Sequence, residues 1–439
     1  MNKSAPAAIS FLTALRYWLK LGFISFGGPA GQIAMMHAEL VEKRRWISER
    51  RFMHALNYCM VLPGPEATQL AIYIGWLLHK TRGGIAAGVL FVLPSLLLLM
   101  LLSWVYLVYG HLPVVAGVLY GIKPAVVAIV LAACWRIAKR SIRNRLLGGI
   151  AIASFLAIAV FGVPFPLIVM GAALCGLAGG RLAPEKFRTG GHAGVAAGYG
   201  PAFIDDTTPP PPHARFSWPG LVIKLVLGAT LGLAAWLALA AACGVASPLT
   251  QMGLFFSKAA LLTFGGAYAV LPYVVQGAVE QAHWLTPAQM IDGLALGETT
   301  PGPLIMIVAY VGFLGGWQSA ISAPLFTAIA GACIATFFTF LPSFVFVLAG
   351  GPLVEATRED VRLTAPLAAI SAAVVGVIAS LAVFFARHVF RLDAGWSHWD
   401  YIAIVMALVA GTAILRYQWG PIKVIMLCAF VGLVVSYLA

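Results

Sequence analysis

Six stretches of this chain, residues 84–109, 114–135, 219–243, 320–349, 363–386 and 420–438, are almost wholly apolar. A helix rises about 1.5 Å per residue, so about 20 apolar residues cross the roughly 30 Å hydrocarbon core of a bilayer. Two shorter runs, 146–161 and 163–180, flank Gly162, Pro164 and Pro166 and read as two short helices or one tight helical hairpin, either of which returns the chain to the side it left. Composition agrees: 61% of the residues are hydrophobic and 10% charged, against roughly 45–50% and about 25% in soluble domains. Such a chain lacks the polar surface to be hydrated all round. The expected fold is an all-α integral membrane protein of roughly ten to thirteen membrane segments. The net charge of +13 then marks basic cytoplasmic loops, and nucleic acid is not an expected partner.

The six cysteines, Cys59, Cys134, Cys175, Cys243, Cys333 and Cys428, are isolated in or beside apolar stretches and read as core thiols. None has the spacing of a zinc or redox site, and no metal or other cofactor is expected. Arg16 and Lys20 interrupt the first apolar run too early for a cleaved signal peptide. Between 181 and 217 the composition turns to Gly, Pro and polar residues, with Pro209 to Pro212 in a row and the pair Asp205 and Asp206. With no apolar face, this reads as a flexible polar linker, its two aspartates solvated rather than cation-binding.

A shift of 238 positions superposes Lys20 on Lys258, Phe26-Gly27-Gly28 on Phe264-Gly265-Gly266, Glu42 on Glu280, Trp46 on Trp284 and Pro63-Gly64-Pro65 on Pro301-Gly302-Pro303. Further on the shift is 248, matching Leu93-Pro94-Ser95 to Leu341-Pro342-Ser343. The chain therefore divides into a first repeat (1–180), a cytoplasmic linker (181–218), an extra span (219–248) and a second repeat (249–439). Loop 43–51 carries Lys43, Arg44, Arg45, Arg50 and Arg51, whereas its counterpart 281–289 has no Lys or Arg. Basic residues mark cytoplasmic loops, so equivalent loops are expected on opposite faces: the repeats are inverted, the N-terminus cytoplasmic and the C-terminus periplasmic. Inverted repeats are the architecture of secondary transporters that rock around a midplane site.

Pro-Gly-Pro cannot continue a helix, so each copy is expected to break its segment, and in lipid such a break survives only where it is buried or lines a wet cavity. Pro63, Gly64 and Pro65, with Pro301, Gly302 and Pro303, are thus candidate substrate-binding positions, the following half-helix N-termini favouring an anion. Gly27, Gly28, Gly265 and Gly266 form a second pair of interruptions, or packing glycines. Lys20 and Lys258, six residues before each Phe-Gly-Gly, either face an anion or snorkel, and Lys123 sits mid-segment. Thr68, Gln69 and Thr300 are candidate donors to oxyanion oxygens. Glu66 and Glu298 are candidate proton carriers or counter-charges. His54 is read first as structural and second as a proton relay. No Walker A motif or hydrolase signature is present, so an enzyme is not expected.

The stretches Phe26-Gly27-Gly28-Pro29, Arg45-Trp46-Ile47-Ser48 and Leu62-Pro63-Gly64-Pro65-Glu66-Ala67-Thr68-Gln69-Leu70, with Phe264-Gly265-Gly266 and Thr300-Pro301-Gly302-Pro303-Leu304, resemble the chromate ion transporter family in its long form with two fused domains. Ala267 departs from the pattern where the first half has Pro29, and the linker is unusually long. The resemblance implies a bacterial inner-membrane protein with oppositely oriented domains that exports chromate and confers chromate resistance. Efflux is the direction an inside-negative potential favours for an anion, with or without proton antiport. Three alternatives stay open: a transporter of a related oxyanion such as sulfate, a passive anion channel, and an intramembrane enzyme acting on lipid phosphates. A homodimer is permitted by the Gly-rich segments.

Overall fold

The computed structural model describes residues 8–26, 28–182, 199–209, 211–264, 267–319, 323–356, 364–391 and 399–438. Among the described residues it is all helix and connection, with two isolated β-bridges and no strand. The helices are α1 (Phe11–Ile24), α2 (Gly28–His37), α3 (Glu49–Val61), α4 (Glu66–Tyr109), α5 (Pro113–Ser141), α6 (Arg145–Ala159), α7 (Phe165–Leu182), α8 (Trp218–Cys243), α9 (Pro248–Leu262), α10 (Leu271–Val274), α11 (Pro287–Thr299), α12 (Ile307–Gln318), α13 (Pro324–Ala356), α14 (Thr364–Phe390), α15 (Tyr401–Leu415) and α16 (Pro421–Leu438). Seven of them are long and apolar enough to cross a membrane, α4, α5, α7, α8, α13, α14 and α16, and three shorter apolar helices accompany them. The protein is a multi-pass membrane protein.

The element order runs twice through one series. A helix ends at an interruption (α1, α9) and a short helix passes into a π-helical turn (Ala38–Lys43, Val275–Gln281). A helix of 13 residues, capped by Ser48 or Thr286, then stops at Pro-Gly-Pro (α3, α11). Both caps accept a backbone N–H with their hydroxyl oxygen, satisfying a donor the first turn leaves free.

Pro-Gly-Pro does more than break a span. The Tyr310 hydroxyl on α12 donates to the Gln289 carbonyl on α11 at 2.9 Å, although a straight helical path over their separation of 21 positions would set them about 32 Å apart. The chain turns back on itself, and 300–303 is the tip of a helical hairpin. The first copy does the same, bringing the rings of Tyr58 on α3 and Tyr73 on α4 within 6.0 Å.

Helix α4 reverses a second time at His79 and Lys80, whose backbone angles are non-helical. A Cβ on Gly75 would lie 2.5 Å from the Gly83 carbonyl oxygen, so the arms 66–78 and 81–109 touch backbone to backbone, as small residues allow. Gly312 and Gly331 make the equivalent contact between α12 and α13.

The second arm of α4 runs antiparallel to α13, for Gly84 lies against Leu348 and Gly88 against Phe344. The later helices interlock between halves: α5 packs on α15 and α16, while α14 packs on α6 and α7. Gly121 meets Cys428 and Gly432, and Gly176 meets Pro366 and Ala369. The short runs before the linker prove to be two helices, α6 and α7, joined through Gly162 at φ +61°.

Two expectations are corrected. Cys175, Cys243 and Cys333 are exposed rather than core thiols, because they lie on outward faces of apolar helices. The described part of the linker, 199–209 and 211–217, is not a free polar coil. Ile204 pairs with Ile47 in a parallel bridge, Ser48 donates to Asp206 at 2.5 Å, and the Arg51 guanidinium donates to the Thr208 carbonyl at 2.5 Å. Ala202, Ile204 and Ala214 are buried. The backbone of loop 45–48 needs hydrogen-bond partners, and the linker supplies them.

Candidate functional site

The four interruptions meet in crossed pairs. From the first tip, the Gly64 amide donates to the Thr263 carbonyl at 2.7 Å; from the second, the Gly302 amide donates to the Ser25 carbonyl at 2.8 Å. Each tip also rests on a helix of the other half. A Cβ on Gly302 would lie 2.7 Å from the Cβ of Ser95, and one on Gly64 would overlap the Ser343 hydroxyl. Gly64 and Gly302 have φ of +127° and +108°, a region that only glycine enters without strain. These two facts explain the glycine between the prolines: it turns the tip and lets the opposite half come into contact.

Uncharged polar side chains gather at both junctions. The Gln32 amide donates to the Gly302 carbonyl at 2.6 Å and to the Ser25 carbonyl at 3.3 Å. The Gln69 amide donates to the Pro63 carbonyl at 2.7 Å and to the Ser343 hydroxyl at 3.3 Å. Of seven buried side-chain oxygens without a hydrogen-bond partner among the described residues, five belong to residues at or beside the tips: Ser25 Oγ, Gln32 Oε1, Thr68 Oγ1, Gln69 Oε1 and Ser95 Oγ. A buried polar atom left unpaired costs about 1–3 kcal/mol, so five together mark a place kept polar for something other than stability.

The charges expected at the site lie elsewhere. Lys20 and Lys258 are exposed on α1 and α9, five residues before Ser25 and Thr263. Lys123 is held by Asp292, Nζ to Oδ1 3.6 Å, and Asp292 also accepts from the Tyr106 hydroxyl at 3.0 Å. Glu66 lies within electrostatic range of Arg140, and Glu298 accepts from the Tyr268 hydroxyl within range of Arg136, one turn before Arg140 on α5. His54 bonds to the Val354 carbonyl at 3.2 Å, a structural contact between α3 and α13. The hydroxyls of Thr300 and Thr299 donate to their own helix at Gly297 and Leu296. Gly28 opens α2 at φ +73°; Gly27, Gly265 and Gly266 lie outside the described residues. No group of three His, Cys, Asp or Glu is placed to hold a metal ion among the described residues.

Sequence reasoning missed Ser25, Gln32, Ser95, Ser343 and Asp292. The repeated Leu-Pro-Ser flagged two of them as repeat markers but not as tip contacts. Asp292 carried a usable signal, an acidic residue in an apolar segment. Gln32 carried none, since the 238 shift sets Val270 opposite it.

The profile of the chromate transporter family matches residues 12–177 and 250–433, leaving out the linker and α8, and covering both hairpin tips. This chain belongs to the chromate transporter family. Similar proteins include a chromate transport protein of Pseudomonas aeruginosa, 33% identical over 88% of this chain and 83% of its own length. Another, of Cupriavidus metallidurans, is 28% identical over 92% and 87%. An uncharacterized transporter of Methanocaldococcus jannaschii is 23% identical over 98% and 95%. No solved structure matches the chain.

Proposed function

We propose that this chromate transporter family member exports chromate from the cytoplasm across a bacterial inner membrane, its halves inverted and the anion passing between the two hairpin tips. The observation that carries the reading is the crossed pair of amide contacts, Gly64 to Thr263 and Gly302 to Ser25. Halves related by a two-fold axis in the membrane plane set each interruption beside one from the other half, near the midplane where transporters of this kind bind substrate. The antiparallel course of α13 against the second arm of α4 supports inversion. So does the charge asymmetry, 20 Lys/Arg to 7 Asp/Glu over 1–218 against 8 to 8 over 219–439, which puts the N-terminus in the cytoplasm and the C-terminus in the periplasm. The relatives named as chromate transport proteins support the substrate.

A tetrahedral dianion needs hydrogen-bond donors more than a fixed partner charge. The unpaired hydroxyls of Thr68 beside the first tip and of Ser25 and Ser95 at the second supply them, while Gln69 and Gln32 hold the tips with amide N–H groups already bonded there. Lys20 and Lys258, exposed and more than a turn away from the junctions, contribute only a longer-range positive potential. Glu66 and Glu298 serve as proton carriers or as counter-charges to Arg140 and Arg136. An inside-negative potential favours anion exit by about 2.3 kcal/mol per charge per 100 mV, so export runs downhill electrically and proton antiport adds to it. In a cell this activity gives chromate resistance.

The test is chromate uptake into everted inner-membrane vesicles with an imposed potential or pH gradient and sulfate as competitor. Uptake lost in Gln69→Leu and Gln32→Leu, and unaffected by sulfate, is the expected result. Equal uptake of sulfate moves the substrate to another oxyanion, and uptake that follows the potential with no proton coupling leaves the passive-channel reading open.

A further inference from the structure

We propose that a groove between α1 and the second arm of α4 is a binding site for an anionic phospholipid, the phosphate held by Arg16 and Arg82 and an acyl chain lying along Leu15, Leu19, Ile85 and Val89. The cleft of about 650 Å³ is lined by these residues and is apolar apart from the two arginines. Both arginines are exposed, and neither has an ion-pair or hydrogen-bond partner among the described residues. They sit at the same end of the groove: Arg16 in the second turn of α1, Arg82 just past the reversal at His79 and Lys80. From Arg82 to Val89 the groove descends seven residues, about 10 Å. Cations at the rim of an apolar trough, with nothing acidic facing them, fit a lipid whose charge stays at the interface while its tail follows the helices.

A second observation extends the head of the site. Arg82 also lines a neighbouring cavity of about 810 Å³, together with Arg51, His79, Lys80 and the linker residues Thr208 and His213. His79 lines this cavity, and its buried Nε2 has no hydrogen-bond partner among the described residues. The adjoining groove between the same arm, α8 and α13, which shares Ile85 and Val89 with this one, differs in this respect. Its cation, Lys224, already donates to the Leu348 carbonyl at 2.9 Å, and no second cation lines it.

The experiment measures binding of phosphatidylglycerol and of phosphatidylcholine to the purified full-length protein in detergent by native mass spectrometry, with thermal unfolding as a second reading. Wild type is expected to bind phosphatidylglycerol selectively and to unfold at higher temperature in its presence. Arg16→Ala/Arg82→Ala is expected to lower that affinity about thirtyfold, from about 1 kcal/mol per basic residue near the interface. Leu15→Trp keeps both arginines and fills the trough, and it should also abolish selectivity. Should the double variant fail to fold, Leu15→Trp and each single arginine variant decide alone. Equal binding of both lipids by wild type, or phosphatidylglycerol binding unchanged in the variants, overturns the site. Equal protection by glycerol phosphate overturns the lipid in favour of a free phosphate. None of these outcomes bears on chromate flux, so the site and the transport reading stand or fall separately.

Discussion

The amide of Gly64 donates to the carbonyl of Thr263 at 2.7 Å, joining the first hairpin tip to the interruption that ends α9, and Gly302 makes the matching bond to Ser25. Each tip is thus held by the other half, the first also from its own half by Gln69. Any motion that separates the halves must break both bonds, so in the proposed rocking mechanism the crossed contacts form the seal.

Gly302→Ala should break that seal. The new Cβ meets Ser95 at 2.7 Å, and alanine at φ +108° costs about 1–3 kcal/mol of backbone strain. Chromate flux is expected to fall about tenfold, the factor that about 1.4 kcal/mol corresponds to, with membrane insertion intact. Adding Ser95→Gly removes the overlap but not the strain and should recover part of the loss. Unchanged flux in the single variant would show that the contact is incidental.

The pair Lys123 and Asp292 should prove structural. Lys123→Ala leaves a buried carboxylate unpaired, at a cost of about 3–5 kcal/mol, and lowers the thermal unfolding temperature of the purified protein. Lys123→Ala/Asp292→Asn removes both charges and should restore most of it. A single variant as stable as wild type would free Lys123 for the substrate role that its sequence position suggested.

Gln32→Leu keeps much of the side-chain volume and removes two donors to the second tip, one to Gly302 and one to Ser25. Loss of a buried hydrogen bond that strands its partner costs about 1–3 kcal/mol. Chromate flux should drop while protein abundance in the membrane holds; a drop in abundance alone would assign Gln32 to folding rather than to transport.

Glu39 gives a pH dependence. Its hydrogen bond from Arg44, aided by Lys43, holds its carboxyl below the ordinary carboxylate range despite partial burial. A carboxylate whose folded-state pKa is depressed stabilises above its unfolded value, near 4.3, and loses that contribution as pH falls through the folded value. The gap in unfolding temperature between wild type and Glu39→Gln is therefore expected to be full at pH 7 and to close below about pH 4. A gap that persists into acid would mean that Glu39 acts by packing rather than by charge.

The amino-acid sequence alone determined what depends on local chemistry. Apolar runs set the solvent as lipid, constant offsets set two related halves, and Pro-Gly-Pro set the places where helices must stop, because proline lacks the donor a helix requires. Tertiary structure decided what those stops do. A break and a hairpin tip read alike along the chain, and only the approach of Gln289 to Tyr310 and of Tyr58 to Tyr73 shows the chain turning back at those stops. Of the charged residues singled out in the sequence, Lys20 and Lys258 are exposed, and Lys123 and Glu298 already have partners. The junctions themselves are built from Ser25, Gln32 and Ser95, which carry no charge to betray them, and which lie far from the second tip in sequence. Pairings that cross 200 or more residues, such as Gly302 with Ser25, leave no local pattern: their partners are chosen by which surfaces the packed halves present.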